Sequence, residues 1–384
     1  MVRAFVSIVL TIAAASLMPA AANAEDRAAT CGAWKHVPVP GDDQYPTGGL
    51  GAVTDVKVIA PDDAWAISDH GYEFFNEGRV YRWNGDAWRR VAFPAPQDTS
   101  YWVLSALAVV SSSSVWAVGM KLMDGEAVRP LTARWNGTRW HLVPIGLWKV
   151  FGSLDGVVAI PGTERVLAVG TRYPGRGAYG SSETLALRWN GSSWRRLPSP
   201  SPGKTSGFAD VATAGSAIWS VGSFHRPGEV TRMLASRWTP SGWTVRAGPR
   251  GRALAVDGTS PGAVFAVGQG REPGTGAARG TVIGFDGTDW RTVRRFDRID
   301  MLEDVVVAGE GEVWAAGSAF VKEWNTSRPF IVRRTATGWR IDWNRRVAGR
   351  MTAVGGTAHD LWAFRTYPPV ENAELWRFTS YHRC

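Results

Sequence analysis

A short apolar motif returns seven times along this chain at nearly constant spacing. It reads VWAVG at Val115, and the other copies keep its pattern of small and large apolar residues. The second residues of the seven copies lie 46 to 52 residues apart and are Trp65, Trp116, Leu167, Trp219, Phe265, Trp314 and Trp362. Internal repeats of about 50 residues are typical of β-propellers and solenoids, so the repeat narrows the fold before composition is considered.

Each unit divides into four short segments. In the second unit, Leu104–Val110 and Val115–Met120 are apolar runs joined by four serines, and Leu131–Trp135 and Trp140–Val143 flank Asn136-Gly137. Asn-Gly between two apolar runs favours the tight turn of a β-hairpin. Similar hairpins return as WNGDAW, WNGSSW, WTPSGW and FDGTDW. Helical periodicity is absent, and the sequence predicts an all-β, seven-bladed β-propeller of four-stranded antiparallel blades.

The two ends of the chain complement each other. The seventh unit has a third strand, predicted over Glu374–Thr379, but no fourth. The segment Cys31–Pro40 reads CGAWKHVPVP and matches the fourth strand of the second unit, TRWHLVPIG. We therefore expect residues 31–40 to form the outer strand of the last blade and to leave no unpaired edge there. This pairing places Cys31 beside Cys384, and we predict a disulfide between them. Because it closes so long a loop, we expect it to stabilise the fold by roughly 5 kcal/mol at most.

The first 24 residues have the form of a signal peptide. Arg3 precedes an apolar run from Ala4 to Met18, and Ala22-Asn23-Ala24 has the small-x-small pattern of a cleavage site. We expect residues 25–384 to form a single propeller domain that is secreted and extracellular. No other stretch approaches the roughly 20 apolar residues of a spanning helix, so we expect no membrane span.

Charge gives little indication of a partner. The formal net charge is +9, but Lys and Arg are spread along the chain without a run of five. We therefore expect no nucleic-acid partner, and we expect a monomer without a cofactor. Two cysteines at the ends of the predicted mature chain and six scattered histidines show no zinc-binding spacing, and we assign no metal-binding residue.

The units resemble the WAVG…WNGxxW repeats of secreted propeller proteins that are common in actinobacteria. More distantly they are similar to kelch and Asp-box propellers, although the Ser-x-Asp-x-Gly run of the Asp-box is incomplete in every unit. The resemblance covers essentially all of the predicted mature chain and implies the propeller fold and export. It implies no catalytic residues, because propellers host many functions.

Four of the 21 tryptophans lie outside the repeat. Trp343 falls in a predicted outer strand and is expected to pack there. Trp102, Trp148 and Trp324 fall in loops that open at the same end of the predicted ring, and we predict that they form a ligand-binding surface. The alternative is that these rings cover the core beneath long loops.

Aspartate precedes the inner strand in four units, as Asp55, Asp155, Asp210 and Asp304, where the other units have Ala106, Ala253 and Ala353. Three interpretations stay open for these carboxylates near the channel. They hold Ca²⁺, they supply a general acid and base, or they accept hydrogen bonds from loop amides. We include all four with the three tryptophans in the candidate ligand site.

The leading functional hypothesis is a recognition propeller that binds a glycan, a cell-wall polymer, a small-molecule ligand or another extracellular partner at its top face. The alternative is an enzyme, such as a lyase, hydrolase or cyclase, at the mouth of the channel. Its acids and bases would come from the four aspartates, His70 and His225, but no catalytic residue is assigned. A purely structural envelope protein is the third hypothesis.

Overall fold

The computed structural model describes residues 33–40, 50–72, 75–123, 127–147, 149–175, 180–309, 311–343, 346–367 and 377–383. Within these residues seven four-stranded antiparallel sheets follow one another around a ring. One long strand, Gly242–Ser260, serves two of them, because its first half pairs with blade 4 and its second half with blade 5. The predicted all-β, seven-bladed propeller is confirmed.

The strands of each blade are numbered outward from the centre of the ring. The first strands are Leu50–Ala60, Trp102–Ser111, Phe151–Ala159, Thr205–Ala214, the second half of Gly242–Ser260, Met301–Gly309 and Arg350–Thr357. The second strands are Asp63–Tyr72, Ser114–Met123, Val166–Tyr173, Ala217–His225, Ala263–Arg271, Glu312–Val321 and Asp360–Tyr367.

The outer strands complete the blades. The third strands are Arg79–Trp83, Ala127–Trp135, Glu183–Trp189, Arg232–Thr239, Ala278–Phe285, Thr326–Thr335 and Arg377–Arg383. The fourth strands are Trp88–Val91, Trp140–Leu142, Trp194–Arg196, the first half of Gly242–Ser260, Trp290–Phe296, Gly338–Trp343 and Lys35–Val37. Phe75–Asn76 adds a short pairing in blade 1, and Lys322–Trp324 is a 3-10 helix in blade 6.

Antiparallel pairing gives the ring two distinct ends. Each first strand begins where the second strand ends; in blade 1, for example, Leu50 stands opposite Gly71. The connection between the second and third strands therefore lies at the same end as the connection that enters the next blade. We call this end the top face, and the WNGxxW hairpins lie at the opposite end.

Aromatic side chains of neighbouring blades interlock around the ring. Trp116 on the second strand of blade 2 is fully buried, and its ring centroid lies 5.2 Å from that of Trp189 and 5.3 Å from that of Trp194 in blade 3. Trp362 of blade 7 packs in the same way against the hairpin tryptophans of blade 1. The tryptophans of the VWAVG motif and of the WNGxxW hairpin thus meet between neighbouring blades, where Trp116, Trp219 and Trp362 are buried.

The N-terminal segment completes blade 7, as predicted. Lys35–Val37 pairs antiparallel with Arg377–Arg383. Trp34 meets Trp314 of blade 6 edge-on, with centroids 5.7 Å apart, which is the contact that the second hairpin Trp makes in blades 1, 2, 3 and 5. Asp342 of blade 6 accepts a hydrogen bond from the indole N–H of Trp34 at 3.1 Å and another from Arg383 at 2.9 Å.

The register of this closure differs from the prediction. The N-terminal strand pairs with Ser380, Tyr381 and His382, whereas the sequence predicted a partner strand over Glu374–Thr379. Strand-favouring residues occur both before and after Thr379, as Trp376, Phe378 and Tyr381, so propensity does not determine which part pairs. Residues 374–376, Cys31 and Cys384 lie outside the described residues, and the disulfide stays a prediction.

Candidate binding surface at the top of the ring

The seven first strands enclose a central channel with a cavity of about 310 Å³. Valine, alanine and glycine form most of its wall, and its charged lining residues are Lys57, Asp210, Asp257 and Asp304. A narrow channel with several ionisable groups is where a catalytic or metal site would first be sought.

A β-bulge interrupts every first strand at the same level, within the part of the chain that is described. The residue directly after the bulge stands opposite the fourth residue of the VWAVG motif, as Asp55 stands opposite Ile67 in blade 1. Asp210 and Asp304 occupy the same place in blades 4 and 6. The bulge therefore aims these three carboxylates alike, toward the neighbouring blade.

Two of the equivalences predicted from sequence are wrong. In blade 3 the place after the bulge belongs to Gly156, and Asp155 lies one residue earlier, within the bulge. In blade 5 it belongs to Ala255 rather than to Ala253. In blade 5 the spacing from the motif does identify Ala255, which precedes Phe265 by the same 10 residues as Asp55 precedes Trp65. In blade 3 a longer turn between the first and second strands, from Ala159 to Val166, shifts this count, so that spacing alone does not locate the bulge.

Four carboxylates each accept a hydrogen bond from the backbone N–H of the next blade, and we call them the clip carboxylates. The pairs are Asp55 with Leu107 at 2.7 Å, Asp210 with Val256 at 2.8 Å, Asp257 with Val307 at 2.7 Å and Asp304 with Val354 at 2.8 Å. Of the three interpretations, hydrogen bonding to backbone amides fits this geometry, although the amides belong to a neighbouring strand rather than to a loop.

The clip carboxylates are electrostatically coupled to Lys57. Burial raises the pKa of Asp210 to about 7, and burial together with the charge of Asp55 raises that of Asp304 to about 8. Burial opposes the charge on Lys57, but Asp55, Asp210 and Asp304 outweigh it and raise the pKa of the ammonium. The Lys57 Nζ lies 3.0 Å from Asp55 Oδ1, and because 45% of its side chain is open to the channel, water screens part of this attraction.

Asp155 differs from the clip carboxylates. Its Oδ2 accepts a hydrogen bond from the Ser153 hydroxyl at 3.1 Å, and Thr171 also hydrogen-bonds to its carboxylate. Burial raises the pKa of Asp155 to about 7. In turn, burial and then the charge of Asp155 raise the pKa of the Tyr173 hydroxyl. Asp155 is half-buried and forms no described bond to the next blade.

The structure distinguishes Trp102 from Trp324, two of the three predicted surface tryptophans. Trp102 is only 5% exposed and stacks on Phe93, with centroids 5.2 Å apart, so the expectation of an exposed ring is wrong for this residue. It begins the first strand of blade 2 and covers the core there, which is the alternative considered from sequence. Trp148 lies outside the described residues. Trp324 is 42% exposed at the top of blade 6, and Trp343 is buried as expected.

Trp324 belongs to a hairpin that projects from the top face of blade 6. Toward the top face, the first and second strands pair only as far as Met301 with Ser318. The second and third strands continue to pair as far as Val321 with Thr326. Phe320 on this extension is 58% exposed. We call the segment from Phe320 to Trp324 the blade 6 tip, and the carboxylate of Asp300 holds its base by accepting the N–H of Phe320 at 2.7 Å.

An open groove of about 590 Å³ lies on the top face, between the upper loops of blades 4 and 5. Its charged lining residues are Arg250, Arg252, Arg271, Glu229 and Glu272, and the wall also includes His225 and Val230. Gln269, another wall residue, donates to the backbone carbonyl of Asp300 at 3.4 Å. A wall residue of the groove is thus hydrogen-bonded to Asp300, the residue that holds the base of the blade 6 tip.

The two histidines considered as acids or bases have different surroundings. His70 is buried at the end of the second strand of blade 1, where burial and the nearby charge of Arg79 lower its pKa to about 4. His225 is half-buried in the wall of the groove. No group of three or more His, Cys, Asp or Glu among the described residues is arranged to hold a metal ion. Nor does any described helix have the length and apolar character of a membrane span.

Sequence reasoning missed Asp257, Phe320 and the arginines of the groove. Asp257 lies two residues after Ala255, the residue that follows the bulge in blade 5, so it does not align with the aspartates of the other blades. Arg250 and Arg252 stand in a connection between blades that the long strand makes continuous. Their one signal was the short spacing of 46 residues between Trp219 and Phe265, which marks blades 4 and 5 as unusually connected.

Comparison with known proteins adds support for the fold. No protein-family model matches the chain, and no curated protein matches it. A solved structure titled "YCF48 bound to D1 peptide" is similar at 13% identity and a TM-score of 0.55, covering 91% of this chain and 97% of that one. At this identity the likeness shows the fold alone, and that fold is the β-propeller.

Proposed function

We propose that this protein is an exported binding propeller that holds a macromolecular partner on the top face of blades 4 to 6. The observation that carries the proposal is the blade 6 tip, where Phe320 and Trp324 expose large aromatic surface on a hairpin anchored by Asp300. Exposed aromatic rings on a rigid support are typical of the residues that dominate binding energy in interfaces.

The charged residues that line the channel, unlike the exposed rings of the blade 6 tip, are already used within the fold. Three of the four aspartates predicted to act in it are clip carboxylates, which already accept backbone hydrogen bonds from the next blade. These bonds favour a role in holding the ring together. A ring held in this way presents its top face with little conformational entropy left to lose on binding. YCF48, which has a similar fold, is bound to a peptide in its solved structure.

A glycan remains a candidate partner, together with a cell-wall polymer. In the described residues this narrower proposal rests on Trp324 and Phe320, because Trp102 is buried. Aromatic rings bury area against the apolar face of a sugar, and the backbone and carboxylates around them accept its hydroxyl hydrogens.

One specific observation favours the enzyme alternative, and it concerns the surroundings of the Asp155 carboxyl. It is not tied to the next blade, and burial brings its pKa to about 7, where a general acid or base works best. Asp155→Asn tests it on any substrate turned over by the wild type. Turnover that is lost with unchanged thermal stability supports the enzyme, and turnover that persists removes Asp155 from the reaction.

Export and the disulfide are part of the proposal. Sequencing of the protein recovered outside the host cell should give Glu25 as its first residue. Intact mass before and after reduction should reveal one disulfide between Cys31 and Cys384. Retention of residues 1–24 in the recovered protein, or two free thiols, contradicts these expectations.

The binding function is tested with the mature protein as bait. Wild type and the double variant Phe320→Ser/Trp324→Ser are immobilised and offered to the extracellular fraction of the host and to a glycan array. The matched control is Val293→Ser/Ile341→Ser, which removes two apolar side chains, 44% and 37% exposed, from fourth strands outside the top face. We expect the tip variant to lose at least about thirtyfold in affinity and the control to keep it. Equal binding by both variants contradicts the proposal.

A further inference from the structure

The groove between blades 4 and 5 carries an excess of positive charge. Both carboxylates in its wall have cationic partners outside the set of lining residues. Glu229 Oε1 lies 3.9 Å from Arg226 Nη1, and Glu272 Oε2 lies 3.4 Å from Arg279 Nη2. Neither is therefore needed to neutralise the arginines of the wall.

Two of the three arginines of the wall have side chains without a partner among the described residues. Arg271 donates to the backbone carbonyl of Gly276 at 3.1 Å. Arg250 and Arg252 are exposed, and their side chains make no hydrogen bond or ion pair within the part of the chain that the structure describes. Each guanidinium presents a planar set of donors that matches a carboxylate in two places at once. Two such groups, two residues apart on one strand, form a receptor for two carboxylates.

The other side chains of the groove distinguish a peptide from a sugar. No Trp, Tyr or Phe is found among its described lining residues, so it offers no aromatic platform on which a sugar would stack. Val230 on its wall is 50% exposed and presents apolar surface beside the charges. Carboxylates next to apolar side chains are what a peptide supplies. A cavity of about 590 Å³ also lies within the range of sites that bind small ligands and short segments.

We propose that this groove binds an acidic segment of a partner protein, with two of its carboxylates on Arg250 and Arg252 and an apolar side chain against Val230. The inference rests on the proposed binding function, because it names the chemistry of the partner that the top face receives. Hydrogen bonds through Gln269 and Asp300 connect the wall of the groove to the base of the blade 6 tip, and we expect one extended partner to contact both.

The probe is a library of random heptapeptides displayed on phage and selected on the wild-type protein. We expect the selected peptides to carry Asp or Glu at two positions and an apolar residue at a third. Binding of one such peptide, measured by fluorescence anisotropy, should weaken at least about tenfold in Arg250→Gln/Arg252→Gln. It should weaken similarly when its acids are replaced by Gln, and it should fall with added salt.

The matched control is Arg89→Gln/Arg195→Gln, which removes the same charge from exposed fourth-strand arginines of blades 1 and 3. This control should bind as the wild type does. Selected peptides without acidic enrichment, or equal binding by the two arginine variants, overturn the inference. So does an acidic oligosaccharide, such as oligogalacturonate, that needs Arg250 and Arg252 while no peptide does. In each case binding that still depends on Phe320 and Trp324 leaves the proposed function standing.

Discussion

The channel wall and the groove of blades 4 and 5 both carry clusters of charged side chains, but they use them differently. In the channel, the clip carboxylates bond to the backbone of the next blade, and Lys57 is surrounded by their charge. In the groove, Arg250 and Arg252 have no described partner. The channel charges help to hold neighbouring blades together, whereas the two arginine side chains of the groove are exposed and available for a ligand.

This difference shows that a charged or aromatic residue near a channel is an insufficient indication of function. What distinguishes a structural residue from a candidate binding residue is whether its polar groups are already hydrogen-bonded, and its apolar surface already buried, within the chain. Trp102 and Trp324 make the same distinction for aromatic rings, since the first is buried against Phe93 and the second is open to solvent.

The largest expected effect separates these two tryptophans. Trp102→Ala should lower the free energy of unfolding by about 3–5 kcal/mol, because it leaves a cavity beneath Phe93 and above the core of blade 2. Trp324→Ala should change it by no more than about 0.5 kcal/mol, since Trp324 is exposed and lies in a 3-10 helix without buried residues. Urea unfolding followed by tryptophan fluorescence measures both. Equal losses would contradict the division into interior and surface.

The next effect concerns the clips. Asp304→Ala should lower the free energy of unfolding by about 2–3 kcal/mol, because the N–H groups of Val305 and Val354 both lose their acceptor. Asp155→Ala serves as the control, since it breaks no bond between blades, and it should cost less. Thermal unfolding of the two variants compares them, and a larger loss for Asp155→Ala would contradict the role assigned to the clips.

A smaller effect is the pH dependence that Asp304 confers. Burial raises its pKa from 3.8 to about 8, so between these values the folded protein holds a proton that the unfolded chain has released. The resulting stability is fully present below about pH 4 and is lost as the pH rises through about 8. Asp304→Asn carries no such proton. Its melting temperature relative to the wild type should therefore rise between about pH 5.5 and 8.5. A constant difference would mean that Asp304 titrates outside this range.

The smallest effect is expected at the groove. Arg250→Gln/Arg252→Gln should change the free energy of unfolding by no more than about 0.5 kcal/mol, because neither side chain has a described partner to lose. Differential scanning calorimetry beside Asp304→Ala gives the comparison directly. A loss of stability as large as that of the clip variant would place these arginines among the structural charges.

Most of the fold follows from local patterns in the sequence. The spacing of the VWAVG copies and the WNGxxW hairpins predicted seven four-stranded blades, and the match between Cys31–Pro40 and a fourth strand predicted how the ring closes. These predictions hold because strand length, hairpin turns and the alternation of buried residues depend on neighbours close in sequence. Such local patterns did not predict the register in blade 7, where the N-terminal strand pairs with residues 380–382 rather than with 374–379.

The candidate site could be predicted from the sequence only in part. The same residue types acquire different roles when a bulge shifts them by one position, as Asp155 and Asp304 show. Whether a tryptophan outside the repeat is covered or exposed depends on how far its hairpin projects, as it does for Trp324. The sequence by itself thus determined the number of blades and their closure. The tertiary structure decided which side chains are satisfied, because their partners lie on the next blade, about 50 residues away.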